Sequence, residues 1–358
     1  MKYTNLMNNQ AGTLELQQEI AKALPGLLPS LKVVHALARR GGLSGLSAEV
    51  LLPSGNRRRL RFELQPSPTP GRIREPLRRF KAAGLRAGYP MLACRFVSPR
   101  VRDMCREEGV GYVDLAGNCF LQLDGLYVER IVERNPFPAR GRPSSMFSPV
   151  SSRMSRALLE EPQREWTVSA LAQATGMSLG QASNVARRLL EEEFARKAGR
   201  HLQLRHGARL LDAWRDAARP APVSHGYYSL ERDPQQRLLK VADASAAHQL
   251  SYAVTSFGAA SLIAPFVHGI GTLVWYIEPA ALELWVRALD LRPVEEGANV
   301  ALLVPQDAGV FYRSRTVSGV TLVGDVQLYL DLSADPGRGR EQAEFLRQQR
   351  LKELDAAG

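Results

Sequence analysis

The side chains best suited to specific recognition chemistry lie in the middle of the chain. Over residues 178–188, polar and basic side chains occupy one face of a pattern with helical period, and apolar side chains occupy the other. Asn and Gln can form paired hydrogen bonds with adenine, and Arg can bind guanine or a phosphate. The polar face comprises Ser178, Leu179, Gly180, Gln181, Ser183, Asn184, Arg187 and Arg188. Residues of these types on one helix face predict an element that reads base edges in the major groove of DNA.

The segment before this face predicts two further helices that would hold it in position. Residues 151–160 favour a first helix, and residues 169–175 favour a second one with Thr167 as its N-cap. Gly176 then supplies the left-handed conformation that turns the chain after a helix end. A helix, a turn with Gly and a second helix together predict a helix-turn-helix.

The segment after the turn predicts the rest of a winged helix domain. Ser178 is expected to cap a third helix that runs to about residue 193, and residues 196–205 favour a basic hairpin, the wing. The wing offers side chains for the minor groove or the phosphate backbone, namely Arg196, Lys197, Arg200 and His201. The expected core is apolar and consists of Leu171, Ala172, Met177, Ala182, Val185, Ala186, Leu189 and Phe194. The alternative is a winged helix that binds protein, which the Arg-bearing polar face disfavours.

The distribution of charge along the chain points to different partners for its two parts. Residues 1–225 contain 35 Lys and Arg against 20 Asp and Glu, a balance of +15, and residues 226–358 contain 12 against 16, a balance of −4. A basic segment suits a polyanion, because Lys and Arg that neutralise phosphates release condensed counterions. We therefore expect double-stranded DNA as the partner of the front part and a different partner for the back.

A first domain of mixed strands and helices is predicted before the winged helix, and it contains a pattern similar to a nuclease motif. Nucleases of the PD-(D/E)xK type place an acid on one strand and E-x-K on the next, where the carboxylates bind Mg²⁺. Here Glu63 and Gln65 occupy the E-x-K positions, and Glu49 would stand in for the missing Asp. Because the lysine is replaced by Gln65, we expect no cleavage. The alternative function is a DNA-targeting nuclease with catalytic residues Glu49, Glu63, Gln65 and Asp114.

Asp114 has a second interpretation that we prefer to a catalytic one. It begins a dense polar turn that ends at Asn118. Asp and Asn side chains in such turns accept hydrogen bonds from nearby backbone N–H groups. We expect these two residues to close a loop.

The last part of the chain resembles a known family. The winged helix, residues 252–260 and residues 325–332 (Asp-Val-Gln-Leu-Tyr-Leu-Asp-Leu), followed by Gly337-Arg338-Gly339, are similar to the AbiEi-type antitoxin and transcriptional regulator of type IV toxin–antitoxin systems. The resemblance covers most of residues 150–350. It implies that the winged helix represses its own operon and that the C-terminal domain counters a nucleotidyltransferase-like toxin. Typical members carry the winged helix at the N-terminus, whereas here an α/β domain precedes it.

The predicted architecture is an α+β multidomain protein. Linker composition at residues 134–150 and a Pro-rich break at residues 219–222 divide it into an α/β domain at 1–135, a winged helix at 150–218 and an α/β antitoxin-like domain at 226–358. Three cysteines without paired spacing are expected to be buried and to bind no metal. We expect no cofactor, and we expect a cytoplasmic protein because neither a signal peptide nor a membrane span is evident. A homodimer and an adaptor within a phage-defence complex remain alternatives.

Overall fold

The protein was analysed as a computed structural model. It describes residues 2–38, 46–83, 88–132, 135–137, 146–217, 220–267 and 269–356. The predicted linker residues 134 and 138–145 lie outside these ranges, as does Arg219 of the second break. The chain forms two compact units, Met1–Pro143 and Ser144–Gly358, which are described separately.

The first unit is built on a seven-stranded sheet. Its elements follow in the order α1 (Lys2–Leu27), β1 (Lys32–Ala38), β2 (Leu46–Leu51), β3 (Arg57–Leu64), α2 (Pro70–Ala83), β4 (Tyr89–Cys94), α3 (Pro99–Glu107), β5 (Gly111–Asp114), β6 (Cys119–Leu123) and β7 (Leu126–Arg130). The strands lie side by side in chain order. Strands β3, β4 and β5 are parallel, and the other neighbours are antiparallel. This arrangement confirms a mixed α/β fold here.

Helices cover both faces of this sheet, because neighbouring strand residues point to opposite sides. On one face, Leu16, Ile20 and Leu24 of α1 pack against strand residues that include Phe62 and Met91. On the other face, α2 and α3 pack against the alternate residues of the strands. The three cysteines, Cys94, Cys105 and Cys119, are buried and free, which confirms their expected packing role.

The second unit begins with the segment that is predicted to be a winged helix. Its elements are α4 (Pro149–Glu160), α5 (Val168–Thr175), α6 (Leu179–Glu191), β8 (Ala195–Ala198), β9 (His201–Leu204) and α7 (Gly207–Asp216). The first three helices and the hairpin lie where the sequence predicts them, and all eight expected core residues are buried. Helix α7 was not predicted. Its Leu210, Leu211 and Trp214 are buried, so the segment between the hairpin and the second break forms an amphipathic helix.

The remainder of the second unit is a second seven-stranded sheet covered by helices. Its elements are β10 (Val223–Tyr228), α8 (Pro234–His248), β11 (Tyr252–Thr255), α9 (Ser256–Ile263), β12 (Leu273–Ile277), α10 (Leu282–Ala288), β13 (Arg292–Pro293), β14 (Val300–Val304), β15 (Arg315–Val317), β16 (Val320–Leu322), α11 (Asp325–Ala334), α12 (Gly339–Arg350) and α13 (Glu353–Ala356). The strand order is β13-β10-β14-β12-β11-β16-β15. Short 3-10 turns occupy Pro279–Ala281 and Ala308–Phe311.

The composition of residues 323–328 predicts a strand, and the structure shows that this prediction is wrong. Residues 325–334 form helix α11, in which residues 325–330 and 332 are all buried. A short apolar run cannot show whether a strand or a fully enclosed helix will form, because neither leaves a polar face to set a period. The Val and Tyr content favoured a strand, and tertiary packing overrides that preference.

The predicted winged helix and the second sheet share one hydrophobic core. Met154 and Leu158 of α4, Leu189 of α6 and Trp214 of α7 belong to the same buried cluster as Trp275 and Leu328. The division of this unit into two domains at residues 150–218 and 226–358 stays a prediction. Across the residues that the structure describes, no helix is long and apolar enough to cross a membrane.

Candidate nucleic-acid interface

The helix-turn-helix is fixed by local hydrogen bonds that the sequence anticipates. The Thr167 side chain accepts a hydrogen bond from the Ala170 N–H at 3.1 Å and so caps α5. At the other end, Gly176 has φ 62°, the left-handed conformation that costs glycine least. Its N–H bonds back to α5 carbonyls, and the chain turns into α6. Both predicted roles are confirmed.

Helix α6 begins with a capping box. The Gln181 N–H donates to the Ser178 hydroxyl at 3.3 Å, and the Gln181 Oε1 accepts from the Ser178 N–H at 3.2 Å. The two residues satisfy backbone donors that a helix start otherwise leaves without partners. The first turn of α6 is thereby held in one geometry.

The predicted recognition residues lie together on one surface of α6. Ser178, Leu179, Gly180, Gln181, Ser183, Asn184 and Arg187 are exposed, and Arg188 is half-buried. Ala182, Val185, Ala186 and Leu189 fill the opposite face. Leu179, at the start of the helix, is a large apolar side chain that is 59% exposed. The surface therefore combines hydrogen-bonding groups, a cation and an apolar contact of the kind that meets a thymine methyl group.

Charge near the end of α6 changes sign. Arg187 forms an exposed ion pair with Glu191 at 3.5 Å, one helical turn later. Helix α6 ends at Glu191, and Glu193, two residues later, is buried with φ 59°. Burial raises the pKa of Glu192, and Glu191 raises it further. The basic residues thus precede the acidic run, so only the first part of α6 presents a surface suited to phosphates.

The wing is a small sheet to which a third segment is added. The Trp166 N–H donates to the Leu202 carbonyl at 3.0 Å, and the Leu202 N–H donates back to Trp166 at 2.6 Å. The sequence predicts a short extended piece at residues 166–168; Trp166 does pair in this way, whereas Val168 already begins helix α5. Lys197, Arg200 and Arg196 are exposed, and the Arg196 Nε lies 3.0 Å from the Gln203 Oε1. His201 is half-buried, with its Nδ1 3.8 Å from the Glu165 carboxylate. Three of the four predicted wing residues therefore face solvent.

Two arginines of α4 contact residues that follow β14 in the chain, and the sequence does not predict these contacts. Arg153 pairs with Asp307, with Nη2 2.7 Å from Oδ2. The Arg156 Nη1 donates to the Gln327 Oε1 at 2.7 Å, and its guanidinium lies 4.9 Å from the ring centre of Trp214. Burial lowers the pKa of Arg156. Arg156 and Gln327 thus form part of a buried polar junction between the two parts of the unit.

The end of α4 adds two carboxylates to the same junction. Glu160 accepts a hydrogen bond from the Val326 N–H. Glu161 accepts one from the Tyr312 hydroxyl at 2.7 Å and pairs with Arg313 at 2.6 Å. The spacing of residues 153, 156 and 160 on one helical face was visible in the sequence. Such a face is usually solvated, and here it is the contact surface.

In the first unit, the predicted nuclease residues do not form a common cluster. Glu49 pairs with Arg57 at 3.2 Å. Glu49 on β2 lies opposite Arg59 on β3. Arg59 precedes Glu63 by four residues, a distance of about 13 Å along the strand. Glu63 is buried, and its Oε1 lies 3.4 Å from both Gln65 and Arg79. Burial raises the pKa of Glu63 despite the nearby Arg79.

Asp114 lies two strands away from Glu63 and holds a loop. Its Oδ2 accepts hydrogen bonds from the Val97 N–H at 2.8 Å and the Asn118 Nδ2 at 2.6 Å, and its Oδ1 accepts one from the Asn118 N–H at 2.8 Å. This is the loop-closing arrangement expected for Asp114 and Asn118. Within the described ranges, no three His, Cys, Asp or Glu side chains come together as a metal site.

Comparisons of the chain with protein-family models, with curated proteins and with solved structures find no match. The function proposed for this chain is therefore argued from its own residues and from the sequence resemblance.

Proposed function

We propose that the chain is a sequence-specific double-stranded DNA-binding transcriptional regulator. The observation that carries this proposal is the exposed face of α6, with Gln181, Asn184 and Arg187 presented by a helix that a left-handed turn and a capping box hold in place. A basic hairpin lies next to it in the chain. Arg, Asn and Gln on such a helix are the side chains that discriminate base pairs in the major groove.

The geometry gives the recognition residues different roles. The Oε1 of Gln181 is occupied by the capping box, so this side chain has only its amino group to offer a base. Asn184, one turn later, has both amide groups available for the paired hydrogen bonds that select adenine. Arg187 can leave its exposed pair with Glu191, since such pairs contribute at most about 1 kcal/mol. Lys197 and Arg200 of the wing would bind the backbone.

We further propose that the regulator is the antitoxin and autorepressor of a type IV toxin–antitoxin system. This part is supported by the resemblance of residues 252–260, 325–332 and 337–339 to the AbiEi-type family. The −4 balance of residues 226–358 also disfavours DNA and suits a protein partner, here a nucleotidyltransferase-like toxin. The basic front of the chain would bind the operator while the back binds the toxin.

Asn184→Ala and Arg187→Ala test the DNA-binding proposal. Each lost base contact should weaken binding to the promoter DNA of its own gene by about 1–3 kcal/mol, or roughly 5- to 150-fold. If Arg187 binds a phosphate, its loss should also reduce the slope of log affinity against log salt by about 0.9. Titration of labelled duplexes at several salt concentrations measures both quantities.

Arg287→Ala is the matched control. Arg287 is an exposed helical arginine whose side chain pairs with Glu283, one turn away, at 3.4 Å. Arg187 pairs with Glu191 in the same way. Arg287, however, lies on α10, one of the helices that cover the second sheet. It should leave affinity unchanged. Equal affinity of the wild type, Asn184→Ala and Arg187→Ala for the promoter would rule out the assigned surface.

A further inference from the structure

Arg153 connects the C-terminal part of the second unit directly to the helix-turn-helix. Its Nε lies 2.8 Å from the Asp307 Oδ1, and its Nη2 lies 2.7 Å from the Oδ2. Its remaining nitrogen, Nη1, donates to the carbonyl oxygens of Thr175 at 3.1 Å and Gly176 at 3.4 Å. One guanidinium therefore binds a loop after β14 on one side and the turn before the recognition helix on the other.

The two carbonyls bound by Arg153 belong to the end of α5, where carbonyl groups lack partners within the helix. Only Met177 separates Gly176 from Ser178, the residue that caps α6. A displacement of these carbonyls is therefore passed to the first turn of the recognition helix. The guanidinium is planar with its donors in a fixed fork, so the position of Asp307 determines the direction of the third nitrogen.

The Asp307 loop is built to hold this contact. The Asp307 Oδ1 also accepts a hydrogen bond from the Gly309 N–H at 2.7 Å and so caps the 3-10 turn at Ala308–Phe311. A Cβ atom at Gly309 would lie 2.7 Å from the Asp307 Oδ1 and 2.9 Å from the Arg153 Cγ. Any side chain at residue 309 would thus push the ion pair apart without removing a charge.

We propose that Arg153 is a positioning residue through which the Asp307 loop sets the turn at residues 175–178 and thereby the docking of α6 on DNA. This role rests on the DNA-binding function proposed above and adds a route by which the C-terminal part controls it. A partner that moves the Asp307 loop would change operator affinity without touching the DNA-binding surface.

Two substitutions in the full-length protein test the proposal, and neither residue lies on the recognition face. Asp307→Asn keeps an acceptor for the Gly309 N–H but removes the charge that holds Arg153. Gly309→Ala keeps every charge and displaces the pair. Arg313→Gln is the matched control, because it breaks another ion pair with the C-terminal part. Its partner Glu161 follows the far end of α4 and is not part of the turn at residues 175–178.

The first measurement compares affinity for a duplex selected by the wild type from a random library with affinity for a scrambled duplex. Asp307→Asn and Gly309→Ala should each lower the ratio of the two affinities about tenfold, within the usual range of coupling between sites. Binding to the scrambled duplex should change little, since its phosphate contacts remain. Arg313→Gln should keep the wild-type ratio. An unchanged ratio in both test variants would overturn the positioning role.

The second measurement does not depend on DNA. Hydrogen exchange of a peptide covering residues 174–182 should be faster in Asp307→Asn and Gly309→Ala than in the wild type and Arg313→Gln, at a temperature well below unfolding. Equal exchange in all four proteins would overturn the proposal even if the wild type shows no preference among duplexes. Faster exchange together with no such preference would support positioning and count against the proposed function alone.

Discussion

The carboxylate of Glu160, in the last turn of α4, accepts a hydrogen bond from the backbone N–H of Val326 at 2.9 Å, in the first turn of α11. A helix start favours a negative charge. Burial nevertheless raises the pKa of Glu160 from its ordinary value of 4.5 to about 7, and the neighbouring Asp325 raises it further, while Arg156 and Arg315 act in the opposite direction. Near neutral pH the group is therefore half protonated in the native protein.

Stability should consequently fall as pH rises between about 5 and 8. In this window the native state holds a proton on Glu160 that the unfolded chain has already lost, so increasing pH favours unfolding. Glu160→Gln keeps an acceptor for the Val326 N–H and should remove on the order of 2 kcal/mol of this pH dependence. Urea unfolding followed by tryptophan fluorescence measures it, because all four tryptophans lie in the second unit.

Glu161→Gln is the control for this prediction. Burial acts to raise the pKa of Glu161, but the Tyr312 hydroxyl, Arg164 and Arg313 together lower this pKa below its ordinary value. The charged form of Glu161 is therefore stabilising above its ordinary pKa, and Glu161→Gln should destabilise the protein at pH 8. A Glu160→Gln protein with the same pH profile as the wild type would contradict the buried state of this carboxyl.

Gln181→Glu should separate folding from DNA binding. A Glu at this position keeps the capping box with Ser178 and places a negative charge at the start of α6, where it is favourable by about 0.3–1 kcal/mol. The same charge would face the phosphates of bound DNA. We expect an unchanged or slightly raised melting temperature with at least about a tenfold loss of operator affinity. Retained affinity would place Gln181 outside the interface.

The purified protein should not cleave DNA in the presence of Mg²⁺. Glu49 and Glu63 are far apart along their strands, and Gln65 stands where the nuclease pattern has lysine. Incubation of plasmid, linear and single-stranded DNA with Mg²⁺, with Glu63→Ala alongside, tests this. Cleavage by the wild type that disappears in Glu63→Ala would make the nuclease alternative the better description.

The protein should bind the product of the neighbouring gene through residues 226–358. The full chain is the right reagent, because this part shares its core with the winged helix. Co-expression should yield a complex and restore growth inhibited by that product. Asn184→Ala with Arg187→Ala should still restore growth, since the proposed toxin surface lies on residues 226–358 and not on α6. A stable homodimer with neither binding nor rescue would favour a dimerisation domain instead.

The helices of the predicted winged helix and their caps could be predicted because their signals are local. The Thr167 cap, the left-handed Gly176 and the Ser178–Gln181 capping box each act within four residues, and the structure contains all three. The buried face of α6 likewise follows from its helical period. Sequence patterns of this kind need no knowledge of what the element packs against.

The contacts of α4 and the conformation of residues 325–334 depend on distant parts of the chain. Arg156 and Gln327 are 171 positions apart and share a buried hydrogen bond. A charged residue on an amphipathic helix gives no sign that it will be enclosed. The helix α11 is enclosed on nearly all sides, so it offers no polar face from which its period could be read.

The shared core of residues 144–358 has a genetic consequence. A nonsense mutation between the codons for residues 217 and 223 would give a truncated chain that still contains every residue of the recognition face. In that chain Met154, Leu158 and Trp214 would be solvent-exposed, because the side chains that bury them include residues encoded downstream. A protein that exposes apolar surface of this kind is degraded by proteases. Such alleles should therefore behave as recessive losses of the whole gene, and not as dominant repressors that have merely lost their partner.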